Sequence, residues 1–291
     1  MSYKVSICIP TYNTKFDVFK KCLNSALNQN YHNLEIIISE NFSKNLNIQN
    51  HIKKINSKKI RYFRHTKMLK VIDHIEFVIR KAKGDYAMYL FDDDFISYNY
   101  VSSSIKILNN IDKKKRNEYF IIGKTIEITK KKRSKPKHEN FSYSNNIFLK
   151  LSKYLYSPHD GLFCSIIPVK TLKKINFVKA NSLKPHKKQM TVNLMHPFIF
   201  TLLVNLKLLY NKRATYYFVN HTRRRPIKLV KILVDYFFGF FRIIKLNFYF
   251  LKILIHYRYY SFSFILIFFY LINSLRYLKK TFKKILTNNF Y

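Results

Sequence analysis

The sequence predicts an α/β fold, a mostly parallel sheet flanked by helices over residues 1–225, followed by a helical tail over residues 226–291. Three observations carry this expectation. Short apolar segments alternate with stretches whose apolar residues recur every three to four positions, the βαβα order of a parallel sheet covered on both faces. The fourth apolar segment runs straight into Asp92, Asp93 and Asp94, as a strand would at the edge where open α/β sheets place their ligands. After Pro226 the chain turns to Ile, Leu, Phe, Tyr, Lys and Arg, with Asp235 the sole acid of residues 227–286.

In chain order, residues 4–9 read as a buried strand stopped by Pro10, and residues 11–14 as a turn rich in cap-forming side chains. The next helix sets Phe16, Phe19, Leu23, Ala26 and Leu27 on one face. Residues 35–38 form a second strand, and Ile48, Ile52 and Ile55 mark a second helix. A short strand spans 60–63, and a third helix carries Val71, Ile75, Val78 and Ile79, with Gly84 as its stop. Residues 86–91 form the strand that delivers the aspartates, and Tyr98, Val101, Ile105 and Leu108 continue as a helix. Beyond residue 115 the pattern predicts strands at 119–123, 125–129, 161–167 and 214–219, a basic loop at 130–138, and a helix over 192–209 interrupted near Pro197.

The chain holds 54 Lys+Arg against 15 Asp+Glu, a formal charge of +39. Abundant Lys, Asn, Ile, Phe and Tyr resemble the coding bias of an AT-rich genome, but such a bias does not make acids scarce. The charge therefore implies an anionic partner, whether membrane lipid, nucleic acid or a phosphorylated substrate. The longest uninterrupted apolar stretch of the tail, residues 264–272, is shorter than the ~20 residues that span a bilayer. Basic residues recur through its apolar stretches, as in helices lying in the interface of an anionic membrane. A helical subdomain packed on protein is the alternative. Cys8, Cys22 and Cys164 are scattered, with neither metal-ligand nor disulfide spacing, and read as reduced apolar fillers. The first residues show no charged leader and apolar core, so the expected location is cytoplasmic, peripheral on the inner face of the membrane.

Three adjacent carboxylates repel one another and call for a cation. Mg2+ suits them, because it takes oxygen ligands and often pairs one or two carboxylates with substrate phosphates. An acidic turn favoured by a helix dipole is the competing explanation.

Three segments taken together resemble a known family. Residues 9–13 (Ile-Pro-Thr-Tyr-Asn), residues 35–43 (Glu-Ile-Ile-Ile-Ser-Glu-Asn-Phe-Ser) and Gly84-Asp85-Tyr86 leading to Asp92–Asp94 are similar to family-2 glycosyltransferases of the GT-A fold. The abequosyltransferase-like variant with a triple aspartate is the nearest pattern. The resemblance implies a Rossmann-like nucleotide-sugar-binding half at 1–110 and an acceptor half at 111–225. It also implies an inverting transfer from a nucleotide sugar, commonly UDP-linked, assisted by Mg2+ or Mn2+. Pro10, Thr11, Tyr12 and Asn13 would then line the nucleoside pocket. Glu40 stands where the family usually has Asp bonded to the base and reaches one methylene further. Asn41 and Ser43 would serve the ribose or simply make turns. Phe91 takes the place of the family's first acid, which leaves Asp93 as the metal ligand, Asp92 as a ribose or metal-water contact, and Asp94 as a further ligand or support. Arg61, Arg64, His65 and Lys67, and the cluster at residues 221–225, are candidates to meet phosphate.

An acceptor hydroxyl needs a general base within hydrogen-bond reach. Acids are so scarce in the second half that Asp160 is the main candidate and His196 the alternative. The acceptor expected for a basic, amphipathic protein is a lipid-linked glycan or lipooligosaccharide. Two other readings stay open at this point. One is a basic nucleic-acid-binding protein whose aromatics stack on bases; it is not favoured, because the tail's aromatics sit among aliphatics and no recognition motif occurs. The other is a catalytically weak paralogue that scaffolds other glycan enzymes.

Overall fold

A computed structural model describes residues 3–129, 146–156, 160–175, 192–219, 248 and 250–256. The chain divides into two compact units. The first comprises Met1–Tyr143, Asp160–Lys179 and Asn205–His221, and the second comprises Ser144–His159, Ala180–Val204 and Thr222–Tyr291. The basic loop at 130–138, the cluster at 221–225 and most of the tail lie outside the described residues.

The first unit begins with the expected alternation. Strands β1 (Val5–Thr11), β2 (Leu34–Glu40) and β3 (Ile60–Arg64) alternate with helices α1 (Phe16–Leu27), α2 (Asn47–Ile55) and α3 (Val71–Arg80), ahead of β4 (Tyr86–Tyr89). All four strands run parallel, in the spatial order β3-β2-β1-β4. β1 and β2 are buried along their whole length, so apolar runs rather than alternation mark them, as in a sheet covered on both faces. Helix α1 buries Phe19, Cys22, Leu23 and Ala26, the face that its spacing predicts. Helix α2 ends on Asn56 in the left-handed region, φ 45°, where Asn is one of the few side chains tolerated.

After the aspartates come β5 (Phe95–Ile96), α4 (Tyr100–Asn109) and β6 (Tyr119–Ile128). A 3-10 turn at Asp160–Cys164 leads to β7 (Ile167–Pro168), which adds antiparallel to β4 at the sheet edge. Helix α6 (Val169–Lys174) follows, and β8 (Lys207–Val219) closes the unit in a three-stranded sheet of order β5-β8-β6.

Several expectations beyond residue 115 are corrected. The two strands expected at 119–129 are one strand, β6, with a register irregularity between Gly123 and Lys124. Residues 161–167 are mostly 3-10 turn, because the chain must fold back to lay Ile166 beside Ile121 and Ile167 beside Ala87. The residues at 207–209 belong to β8, paired with Tyr119, Phe120 and Ile121, rather than to a helix. Gly84 is no helix stop either. Helix α3 ends at Arg80 and Gly84 has no positive φ. A Cβ there would lie 2.7 Å from the Lys4 carbonyl and 2.7 Å from the Ser6 hydroxyl, so the glycine permits close approach to β1. The three cysteines are free and buried, as expected.

In the second unit, α5 (Ile147–Tyr156) and the helix α7 (Val192–Asn205), whose last residue falls in the first unit, are joined by helical residues 250–256. Pro197 does not interrupt α7. It sits near the N-terminus, and the burial of Phe198, Ile199, Phe200, Leu202 and Leu203 after it outweighs one lost backbone bond. The Phe200 and Phe250 rings stack at 4.2 Å, and Phe250 and Leu254 are buried. This short piece of the tail therefore packs on protein by one face, while Phe248 and Ile255 stay exposed. Among the described residues, no helix is long and apolar enough to cross a membrane.

Candidate functional site

The parallel register aligns the strand ends. Thr11 pairs with Glu40, Glu40 with Arg64, and Cys8 with Tyr89. The loops that follow β1, β2, β3 and β4 thus emerge at one edge, so residues about 80 positions apart meet. The backbone N–H of Tyr12 donates to Asp92 Oδ2 at 3.0 Å, and the Thr14 hydroxyl donates to the same oxygen. Asn13 turns between them in the left-handed region, φ 52°. The loop 10–13 and the triplet are therefore one construction, and Thr14 is a member that the sequence did not single out. Burial pushes the Asp92 carboxyl above its ordinary range, against the pull of the Thr14 and Tyr12 hydrogen bonds.

Glu40 is 2% exposed at the end of β2. Its Oε2 accepts from the Tyr62 hydroxyl and lies 3.7 Å from Arg64 Nε. Both partners come from β3, and neither was foreseen in this role. Tyr62 and Arg64 stand two positions apart on β3 and so share one side of the strand, a spacing that could have marked them as a pair.

Asn41 and Ser43 build the loop. Asn41 Oδ1 accepts from the N–H groups of Phe42 at 3.0 Å and Leu69 at 2.9 Å, and its amide donates to the Leu69 carbonyl at 3.0 Å. The Ser43 hydroxyl accepts from Asn45 N–H at 3.1 Å, and its carbonyl accepts from Arg64 Nη2 at 2.6 Å. Of the two roles held open for these residues, the geometry displays the turn-making one. Beneath them, Ser39 Oγ lies 2.9 Å from His65 Nε2 and 3.0 Å from His74 Nε2, and His74 Nε2 donates to the Ser39 carbonyl at 2.8 Å.

The three aspartates diverge. Asp94 is 1% exposed. Its Oδ2 accepts from the Tyr216 hydroxyl at 2.7 Å and its Oδ1 from Val219 N–H at 2.9 Å, both on β8. Burial first, then the neighbouring Asp93 charge, push its carboxyl up to about 8. With both oxygens hydrogen-bonded inside the protein, Asp94 is placed as a support, one of the two roles expected for it. Asp93, between the two anchored neighbours, is half-buried. Among the described residues, no group of three or more His, Cys, Asp or Glu could hold a metal by itself. Such a donor set would suit Mg2+ or Mn2+ only in the manner of a site completed by phosphate oxygens.

Three more of the expected residues have the following settings. Arg61 Nη1 is bound to Glu35 Oε2 at 3.2 Å and to the Lys81 carbonyl at 2.6 Å, so this nitrogen serves the buried Glu35 carboxylate. Asp160 opens the 3-10 turn of the first unit. His196 belongs to the second unit, buried, with Nδ1 2.6 Å from the Tyr154 hydroxyl.

The sequence profile of glycosyl transferase family 2 matches residues 6–175. An uncharacterized glycosyltransferase of Rickettsia felis is 33% identical over 110 residues, and one of Rickettsia conorii is 34% identical over the same length; each match covers 38% of this chain and 18% of the relative. The chain thus matches less than a fifth of the length of these relatives. Among solved structures, Staphylococcus aureus TarS 1-349 superposes with a TM-score of 0.58 at 14% identity, covering 84% of this chain and 65% of that one. TarS 1-349 in complex with UDP-GlcNAc gives 0.53 at 14% identity, with 89% and 73% covered. At that identity the likeness is one of fold, and it extends to most of the chain.

Proposed function

The chain belongs to glycosyl transferase family 2, and we propose that it transfers a sugar, with inversion, from a UDP-linked donor to a lipid-linked glycan or lipooligosaccharide acceptor at the cytoplasmic face of the membrane. The observation that carries this reading is the bond pair from Tyr12 N–H and Thr14 to Asp92, which joins the first loop to the aspartates at the strand-end edge. That edge is where α/β sheets bind nucleotides. The complexes of TarS with UDP and with UDP-GlcNAc support a uridine nucleotide.

In this reading Pro10–Asn13 line the nucleoside pocket and Glu40, held by Tyr62 and Arg64, accepts from the base. Asp93 would hold Mg2+ or Mn2+ together with the donor diphosphate, and the chemistry such a cation would supply is neutralisation of charge on the departing nucleotide. Asp160 is the proposed base that takes the proton of the acceptor hydroxyl, with His196 the alternative. The exposed Phe248 and Ile255 beside Lys252 support a tail that lies on an anionic membrane.

The test is a panel of UDP-, GDP-, CDP- and TDP-sugars, each with and without Mg2+ or Mn2+, read by thermal unfolding. A donor that binds only the folded chain raises its stability by about 2.7 kcal/mol at a hundred times its Kd. A panel without any metal-dependent stabilisation would sink the proposal.

A further inference from the structure

Exposed apolar side chains of the first unit are not scattered. Of those among its described residues, Tyr12, Phe42, Leu46 and Met68 all fall in the loops after β1, β2 and β3, while Tyr98 and Phe218 lie elsewhere. Phe42 is 38% exposed, Leu46 46% and Met68 51%. The last three share one platform, because Asn41 binds the backbone of Leu69 and Arg64 binds the carbonyl of Ser43. Every charged residue in 41–47 and 64–70 is basic, and Lys44, Lys67 and Lys70 are exposed. The exposed acids Asp17 and Asp73 sit in the first turns of α1 and α3, outside both loops. Large apolar tips ringed by lysine are costly in water. They suit a surface that is anionic at the headgroups and apolar just beneath.

We infer that these two loops form a membrane-docking rim on the catalytic unit itself, with Phe42, Leu46 and Met68 entering an anionic bilayer and Lys44, Lys67 and Lys70 meeting its phosphates. The inference rests on the proposed membrane location but not on the tail, and it needs no assumption about donor or acceptor. The loops of the nucleotide edge then face the lipid phase in which a lipid-linked acceptor is dissolved.

The chain contains no Trp, so a single introduced Trp reports one position. The experiment uses the full chain as Leu46→Trp, Met68→Trp or Tyr98→Trp, with vesicles of phosphatidylglycerol and phosphatidylcholine, plain or brominated. All three positions are exposed, so folding is not at risk. Leu46→Trp and Met68→Trp are expected to shift to shorter wavelength and to be quenched by brominated lipid, while Tyr98→Trp is not. Replacing Lys44, Lys67 and Lys70 by Ser should lower partition roughly a hundredfold, from ~1 kcal/mol per basic residue near such a surface. Sedimentation with vesicles without quenching at positions 46 and 68 would overturn the rim and leave the tail to account for binding. Equal quenching at position 98, no binding to vesicles, or the same spectral shift with UDP alone would also overturn it. No arm reads transfer activity, so failure of the glycosyltransferase reading would not be mistaken for failure of the rim.

Discussion

Lowering the pH should destabilise the first unit through His74, and the size of the effect follows from its surroundings. The imidazole is buried on α3 among Ser39, His65 and the strand ends, 5% exposed. Burial above all, and His65 beside it, bring its pKa down from 6.5 to about 4, although the hydrogen bond to the Ser39 carbonyl opposes this. An unfolded chain therefore takes up a proton at His74 as pH falls below 6.5, while the folded chain does not until about 4. Stability is at its full value above 6.5, declines through that interval, and is level below it as far as this group is concerned. At ~1.4 kcal/mol per pH unit the interval amounts to about 3 kcal/mol, a sizeable part of the 5–15 kcal/mol typical of a domain. The assay is urea unfolding at half-unit steps from pH 7.5 to 4, for the native chain and for His74→Gln, which keeps a donor for Ser39 but does not titrate. The native chain should lose about 3 kcal/mol more than the variant over that range. Parallel pH profiles for the two proteins would refute the assignment.

Three further outcomes are expected. Asp93→Asn should lower transfer by about 10² or more, the scale of one lost electrostatic contact in a transition state, and should abolish metal-dependent stabilisation by the donor while leaving urea stability nearly unchanged. Tyr62→Phe removes a donor to the buried Glu40 and should cost about 1.5–3 kcal/mol of stability; by titration calorimetry it should also weaken UDP binding, with a smaller effect on kcat than on KM. Gly84→Ala presses a methyl group against the Lys4 carbonyl at 2.7 Å and should cost about 1–3 kcal/mol as overpacking, seen as a lower urea midpoint.

Legibility followed sequence distance. Four strands and four helices up to residue 110 were readable, the helices by periodicity and the strands as apolar runs; the two-residue β5 was not, and β1 continues through Pro10 to Thr11, where a stop was expected. β8 was not readable as one element. Its first half pairs with Tyr119–Gly123, and its second half reaches both Lys124–Ile128 and β5, so what makes it a strand lies about 90 to 120 residues away. Gly84 shows the same limit at one position. Its local setting after a helix is that of a stop signal, while its actual constraint comes from Lys4 and Ser6. At the site, the first and second motifs were legible as loops at strand ends, but the internal bonds that their side chains make were not. Nothing local distinguishes an Asn41 committed to Leu69 from one free for a ribose.

Under the proposed function Asp93 is the acid that faces the donor, and the bonds of Asp92 and Asp94 give its two neighbours a reason. A lone carboxylate on a loop after a four-residue strand would be free to swing, and an electrostatic contribution to catalysis depends on groups fixed in advance. Asp92 is tied to the loop after β1 through Tyr12 and Thr14. Asp94 is tied to the end of β8 through Tyr216 and Val219. The Tyr216 hydroxyl also accepts from Phe91 N–H at 3.3 Å, so the backbone is held on both sides of the triplet. Asp93 is left between two anchored residues and half-buried, positioned by neighbours that point into different parts of the fold. It follows that Tyr216→Phe, distant from Asp93 in sequence, should lower kcat for the donor reaction more than it lowers nucleotide affinity. A variant that lost affinity and kcat equally would mean that β8 holds the pocket as a whole and not the middle aspartate.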